Sequence, residues 1–207
     1  MEVPKHSFWN KLRTARIDWF IIILTPTLYF IWTLTSKLNL GVRHLLPVYA
    51  FIFVILGVLA GYILTHKSKI IKVVFVLLVL FYLISSLAIY PHYLSYFNEA
   101  VGGPNQGHKY LLDSNIDWGQ DLYGLRKYMD EKGLKKIYFH YFGTAYPDTY
   151  GIVHESPPTN DQLTPDFKGV IAISVSGLFS KAEEYSWLLD YKPVARIGYS
   201  IWIYDIK

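Results

Sequence analysis

Apolar residues are concentrated in three long windows within the first 90 positions of the chain. Residues 17–35, 45–65 and 70–90 are almost entirely apolar, and each window has roughly the 20 residues that a helix needs to cross a bilayer. Because backbone groups in lipid must be satisfied within their own segment, the windows predict three transmembrane helices.

The pattern changes after residue 90, and residues 91–207 have the polarity of a water-soluble domain. Apolar residues at helical spacing predict one helix from about Trp118 to Gly133 and a second over 179–189. Short apolar runs predict strands, and Gly198 marks a turn or bulge within the last of them. The predicted fold class is therefore membrane α-helical, followed by an α/β domain with a small sheet covered by helices. The predicted strands cover 135–142, 170–175 and 194–206.

Charge is distributed unevenly between the two halves. Residues 1–90 contain nine Lys/Arg and two Asp/Glu, whereas residues 91–207 contain 11 and 14. The cations cluster in segment 1–16 and in the loop at 67–72, which lie on one side of a three-span topology. The positive-inside bias places segment 1–16 in the cytoplasm and predicts that the C-terminal domain is extracytoplasmic. The basic balance thus reflects an integral cell-membrane location and not a nucleic-acid partner. No cysteine is present, which excludes disulfides and thiol chemistry.

The first candidate site is Arg43 with His44, which precede the second apolar window at the predicted outer surface. A guanidinium can hold a lipid phosphate through two parallel hydrogen bonds, and His44 can assist it or respond to pH. The alternative is that Arg43 only extends to the headgroups.

The second candidate site is a polar group near the start of the predicted helix. Asp117 with Gln120 fits a capping box. Asp113 and Asp121 leave two alternatives open, a divalent cation or a hydrogen-bonding patch that positions a sugar or an acceptor. The spacing lacks a calcium-loop pattern and the histidines lack ligand spacing, so no metal ligand is assigned and no cofactor is certain. The group comprises Asp113, Ser114, Asn115, Asp117, Gln120 and Asp121.

The third candidate is an aromatic run at the end of the last apolar window. Such rings suit the boundary between lipid and water, although they can also stack on sugars. The run comprises Tyr90, His92, Tyr93, Tyr96 and Phe97.

From about Leu38 onward the chain resembles the C-terminal portion of bacterial and archaeal polytopic glycosyltransferases related to dolichyl-phosphate-mannose protein mannosyltransferases. The resemblance is carried by NLGVRHLLPVYAF, by YPHYLSYFNEAVGGPNQGHKYLLDSNIDWGQDL, and by YFGTA and PVARIGYSIWIYDI. It implies a polyprenyl-phosphate-linked sugar donor used at the outer membrane face. It also implies that an acidic residue in an early external loop is the base, and that Arg43 lies near the departing lipid phosphate.

The family's early spans and acidic loop have no counterpart here, and the only acids before residue 90 are Glu2 and Asp18. No residue is therefore assigned as catalytic base, and activity is expected to need a missing N-terminal half or a companion membrane subunit. The alternative is a non-enzymatic, membrane-anchored binding or accessory module. A transporter subunit is a weaker alternative, because the spans lack paired charges.

Overall fold

The computed structural model describes residues 8–36 and 41–207, and side chains of the first helix from residue 18 onward. The side chains of the predicted basic segment 1–16 thus lie outside the described residues. The chain divides into an N-terminal unit, Met1–Ile84, and a C-terminal unit, Ser85–Lys207.

The N-terminal unit is helical. Helix α1 spans Phe8–Leu34, a 3₁₀ turn covers Gly41–Leu45, α2 spans Leu46–Thr65, and α3, which continues into the C-terminal unit, spans Lys69–Ala88. Pro47 lies in the first turn of α2, where its missing N–H costs no hydrogen bond.

Two of the three predicted spans form helices that are long and apolar enough to cross a membrane. They are Gly41–Thr65 and Lys69–Ala88, and almost none of their apolar side chains are buried within the protein. The apolar part of α1, Asp18–Leu34, is shorter over the described side chains. Helices of this kind favour membrane association.

The C-terminal unit contains a five-stranded mixed sheet in the order β2-β1-β3-β5-β4. Strand β1 pairs in parallel with β2 and β3, whereas β5 is antiparallel to β3 and β4. The strands are β1 (Ile137–His140), β2 (His154–Glu155), β3 (Gly169–Ser174), β4 (Ala195–Ile197) and β5 (Ile201–Ile206). The helices are α4 (Leu122–Lys132), α5 (Val175–Ser180) and α6 (Ala182–Tyr185), followed by a 3₁₀ turn at Ser186–Asp190.

Both faces of the sheet are covered, because successive side chains of a strand point to opposite faces. Ala172 and Ile203 face α4 and pack with its buried Leu122, Leu125 and Met129. On the other face Ile171, Ile173, Trp202 and Tyr204 pack against α5 and the 3₁₀ turn, through Leu178, Trp187 and Leu188. The sheet covered by helices is thus confirmed.

The element boundaries differ from the predictions at three places. Helix α4 begins at Leu122, so Trp118 lies before it and is 48% exposed. The predicted helix 179–189 is divided into α5, α6 and the 3₁₀ turn. The predicted strand 194–206 is two strands, because Gly198 has φ +53° and turns the chain between β4 and β5.

Candidate functional site

The candidate site lies at the carboxyl end of the parallel strands. His140 pairs with Ile173 and Ser174 pairs with Ile201, so the ends of β1 and β3 meet the turn between β4 and β5. Residues 113–121, called the acidic loop below, pack against this end through contacts to Ser176 and Ser200. Ligands of open α/β sheets bind outside the carboxyl ends of the strands, which makes this end the place to look for function.

Asp121 joins three segments at this end. Its Oδ2 accepts a 2.7 Å hydrogen bond from the Ser200 hydroxyl, and its Oδ1 lies 3.3 Å from Nδ1 of His92. A Cβ at Gly198 would overlap the Asp121 carboxylate, so the turn needs glycine both for space and for its positive φ. The carboxylate is buried and connects the acidic loop to the β4–β5 turn and to the segment after α3.

Asp117 is buried beside it, at 1% exposure. Its Oδ1 accepts a 2.8 Å hydrogen bond from the Gly119 N–H, while its Oδ2 has no hydrogen-bond partner among the described residues. Burial raises the pKa of Asp117 to about 6. The Gly119 N–H and the nearby Ser174 hydroxyl oppose that rise in pKa, and the charge of Asp121 adds to it.

The Tyr141 hydroxyl is a second buried polar atom without a hydrogen-bond partner among the described residues. It lies against Gly119 and Gly143, and a Cβ at either glycine would overlap it. Burial raises the pKa of Tyr141, and the Asp117 charge raises it further. The phenol therefore lies neutral beside the Asp117 carboxyl group.

The capping box predicted for Asp117 and Gln120 is wrong. Helix α4 begins at Leu122, and its N-cap Asp121 makes no side-chain capping bond. Gln120 folds back within the acidic loop: its Oε1 accepts from the Trp118 N–H and its Nε2 donates to the Ile116 carbonyl, both at 2.8 Å. Asp117 and Gln120 thus stabilise a turn that precedes the helix.

Asp113 and Asn115 also serve the loop itself. Asp113 has φ +58°, its N–H donates to Ser176 Oγ at 2.9 Å, and its Oδ1 accepts from the Ser114 N–H. Asn115 Nδ2 donates to the Leu112 carbonyl at 3.1 Å. Within the described part of the chain, no group of three His, Cys, Asp or Glu side chains is arranged to hold a metal ion. Positioning of a sugar or acceptor by this group stays a prediction.

The predicted aromatic run is divided between exposed and packed rings. Tyr90, Tyr93 and Tyr96 are exposed. His92 is half-buried, with its ring edge-on to Tyr199. Phe97 fills the space that a side chain at residue 107 would need, beside Gly107. The exposed rings fit the predicted membrane interface, whereas His92 and Phe97 hold the segment onto its own domain.

A third carboxylate, which the sequence reasoning missed, lies at the end of α3. Ser85, in the last part of that helix, donates its hydroxyl hydrogen to Glu99, and the Tyr96 hydroxyl lies 3.5 Å from the same carboxylate. The Ser85 hydrogen bond lowers the pKa of Glu99. The contact ties the end of α3 to the segment that follows it.

Other residues of the site were also missed. Ser174, Ser200 and Tyr141 lie near the buried carboxylates only because the sheet brings distant segments together. At the same end, His140 lies on Tyr185, with Nδ1 3.4 Å from its hydroxyl, and burial lowers the His140 pKa. Of the features recognisable in the sequence, only Gly198, within an apolar run, indicated the turn that meets these residues.

Arg43 and His44 belong to the N-terminal unit. They lie in the 3₁₀ turn before α2, where Arg43 is exposed and His44 is half-buried. Binding of a lipid phosphate by Arg43 and His44 stays a prediction.

Two open grooves of about 290 and 430 Å³ lie at the amino end of the sheet, on either side of Leu134 and Val170. Neither groove is lined by Asp117 or Asp121. The buried carboxylates therefore shape the opposite end of the domain and do not line these grooves.

No protein-family model, curated protein or solved structure matches the chain.

Proposed function

We propose that the chain is the C-terminal part of an integral-membrane glycosyltransferase-like protein that uses a polyprenyl-phosphate-linked sugar at the outer membrane face. The observation that carries the proposal is the family-like segment 113–121, which forms the acidic loop. Nearly every polar side chain of that loop makes a specific hydrogen bond, as described above. Because the residues that resemble the family also hold this loop together, the resemblance supports a structure shared with that family. A short match in an exposed loop without such bonds would support it less.

The proposed topology has three spans, with residues 17–35 crossing the membrane in addition to α2 and α3. The charge pattern supports a cytoplasmic N-terminus and an extracytoplasmic α/β domain. Helix α1 is continuous over 27 residues, which is enough backbone for a span. An impermeant protease added to intact cells should cleave after Pro91, and failure to cleave there would contradict this orientation.

Within this proposal the α/β domain has a positioning role. Asp117 and Asp121 are buried and already hydrogen-bonded, which disfavours them as the general base for a sugar acceptor. The base is instead assigned to a companion membrane subunit or to a further segment of the protein. Arg43 is assigned to the lipid phosphate, because a guanidinium stabilises the charge of a departing phosphate.

The test is turnover of a polyprenyl-phosphate sugar by membranes that contain the complete transferase. Loss of a charge-assisted hydrogen-bonded pair of about 2 kcal/mol should reduce turnover by Arg43→Ala roughly 30-fold. The matched control is Arg43→Lys, which keeps the charge but loses the planar fork and should retain part of the activity. Unchanged turnover by Arg43→Ala in an active preparation would remove the phosphate role.

A second candidate function is a non-enzymatic, membrane-anchored binding or accessory module. The internal hydrogen bonding of the buried carboxylates favours it, since they then have purely structural roles. This alternative predicts that the chain inserts in membranes whereas deleting it leaves sugar transfer intact. Loss of transfer on deletion, restored by the wild-type chain, would exclude it.

A further inference from the structure

Two segments of the C-terminal unit lie against each other, and both carry large exposed aromatic side chains. The segment after α3 lies on the acidic loop, because Ser95 Oγ donates to the Ile116 carbonyl at 2.8 Å and His92 contacts Asp121. The large exposed side chains on these two segments are called the interfacial patch. It consists of Tyr90, Tyr93, Leu94, Tyr96, Trp118 and Tyr123.

The two stretches that carry the interfacial patch have almost no formal charge, and the exposed acids Glu99 and Asp113 lie just outside them. Residues 90–98 and 116–123 contain no Lys, Arg or Glu. Their two acids, Asp117 and Asp121, are only 1% and 4% exposed, so both carboxylates point away from the surface. In contrast, Tyr90 and Tyr123 are 70% and 73% exposed. Large exposed apolar surface without charge is the signature of an interaction site.

The opposite end of the sheet carries charged side chains. Lys136 pairs with Glu155 beside the start of β1, and Lys207 lies 3.8 Å from Asp205 at the end of β5. Lys132 ends α4 at the same end. The domain therefore has a charged amino end and, at its carboxyl end, an uncharged aromatic patch.

We infer that the interfacial patch lies in the headgroup layer of a lipid bilayer, with Trp118 and Tyr123 in contact with lipid. Helix α3 ends at Ala88, so the patch begins two residues after a membrane-length apolar helix. Trp and Tyr, which have an apolar ring and a polar tip, are enriched at this depth. This assigns a lipid contact to part of the acidic loop, in addition to the aromatic run predicted from the sequence. The inference rests on the membrane insertion contained in the proposed function.

The absence of cysteine allows a direct test in the full chain, reconstituted in phosphatidylcholine–phosphatidylglycerol nanodiscs. Single variants Trp118→Cys and Tyr123→Cys carry an environment-sensitive fluorophore, and quenching is compared between nitroxide-labelled lipid and a water-soluble quencher. The matched control is Tyr191→Cys, because Tyr191 is 47% exposed, as Trp118 is at 48%, but precedes β4 at the charged end. Trp118→Cys removes the 3.0 Å hydrogen bond from Trp118 Nε1 to the Ser114 carbonyl and could disturb the loop. Tyr123→Cys leaves that bond in place and therefore tests the patch independently.

We expect the lipid quencher to act several-fold more strongly on labels at 118 and 123 than on the label at 191. Equal lipid quenching at the three positions, in chains that resist alkaline extraction, would overturn the inference and leave the membrane insertion standing. Labels at 118 and 123 protected from both quenchers would overturn it in favour of a protein partner. Release of the chain by alkaline extraction would instead contradict the proposed function.

Discussion

The buried carboxyl group of Asp117 makes the stability of the protein depend on pH in a direction opposite to that of a salt-bridged acid. Its pKa is about 6 in the folded protein, against an ordinary value of 3.8. Between these values the folded state holds the proton whereas the unfolded state has released it. Unfolding then releases a proton, so the free energy of unfolding falls as pH rises through this window and stays low above it.

The size of the effect follows from the change in pKa. A shift of about two pKa units corresponds to roughly 3 kcal/mol at neutral pH, lost progressively from about pH 4 to pH 6. Asp117→Asn removes the ionisation but keeps an oxygen that can accept from the Gly119 N–H. The new amide N–H₂ takes the place of an oxygen that has no partner, at a cost of about 1–3 kcal/mol that does not vary with pH.

The pH dependence is therefore the decisive quantity. Urea unfolding of the full chain in micelles, followed by near-ultraviolet circular dichroism, gives the free energy of unfolding at each pH. Relative to wild type, Asp117→Asn should gain about 3 kcal/mol between about pH 4 and pH 7. Asp161→Asn, which alters an exposed carboxylate, is the control and should follow wild type throughout. Parallel profiles for wild type and Asp117→Asn would refute the reasoning.

Two further predictions concern contacts that hold the C-terminal unit together. Gly198→Ala should lower the free energy of unfolding by more than about 2 kcal/mol. Its Cβ would overlap the Asp121 carboxylate, and its positive φ would in addition strain the alanine backbone. The control Gly133→Ala, at φ +65° with open space around its Cβ, should cost only about 1 kcal/mol by the same urea assay, and equal losses would argue against the overlap. Ser85→Ala should raise the pKa of Glu99 in a carbon-13 NMR titration, because the Ser85 hydroxyl is the main cause of its low pKa. A Glu99 titration identical to that of wild type would show that the hydrogen bond does not form in solution.

The sequence predicted the parts of the fold that depend on local periodicity. The apolar windows over α2 and α3, the helix stop at Gly133 and the strands β1 and β3 follow from hydrophobic pattern and glycine placement. Strand β2 has only two residues, His154 and Glu155, and owes its existence to pairing with β1. A strand of that length carries no period that can be recognised in a sequence.

The site was harder to predict, because its chemistry depends on burial. Asp117 followed by Gln120 matches a capping box, and the helix in fact begins five residues after Asp117. Nothing local indicates that Gly119 lies against the Tyr141 hydroxyl or that Ser200 reaches Asp121 across 79 positions. Those contacts arise from sheet pairing of distant segments, which the spacing of residues within one loop does not contain.

Burial of the two carboxylates also connects the fold to the proposed membrane location. A buried ionised carboxylate is costly, and Asp117 has no cation among its hydrogen-bond partners. An exposed carboxylate at position 117 or 121 would place charge among Trp118, Tyr90 and Tyr123, where lipid contact would then be unfavourable. Both acids instead point inward: Asp117 accepts a hydrogen bond from the Gly119 N–H, and Asp121 accepts one from the Ser200 hydroxyl. These bonds fix the loop and keep both carboxylates out of the interfacial patch. The same burial takes both acids away from any sugar acceptor, so in the proposed transferase neither Asp117 nor Asp121 is assigned as the base.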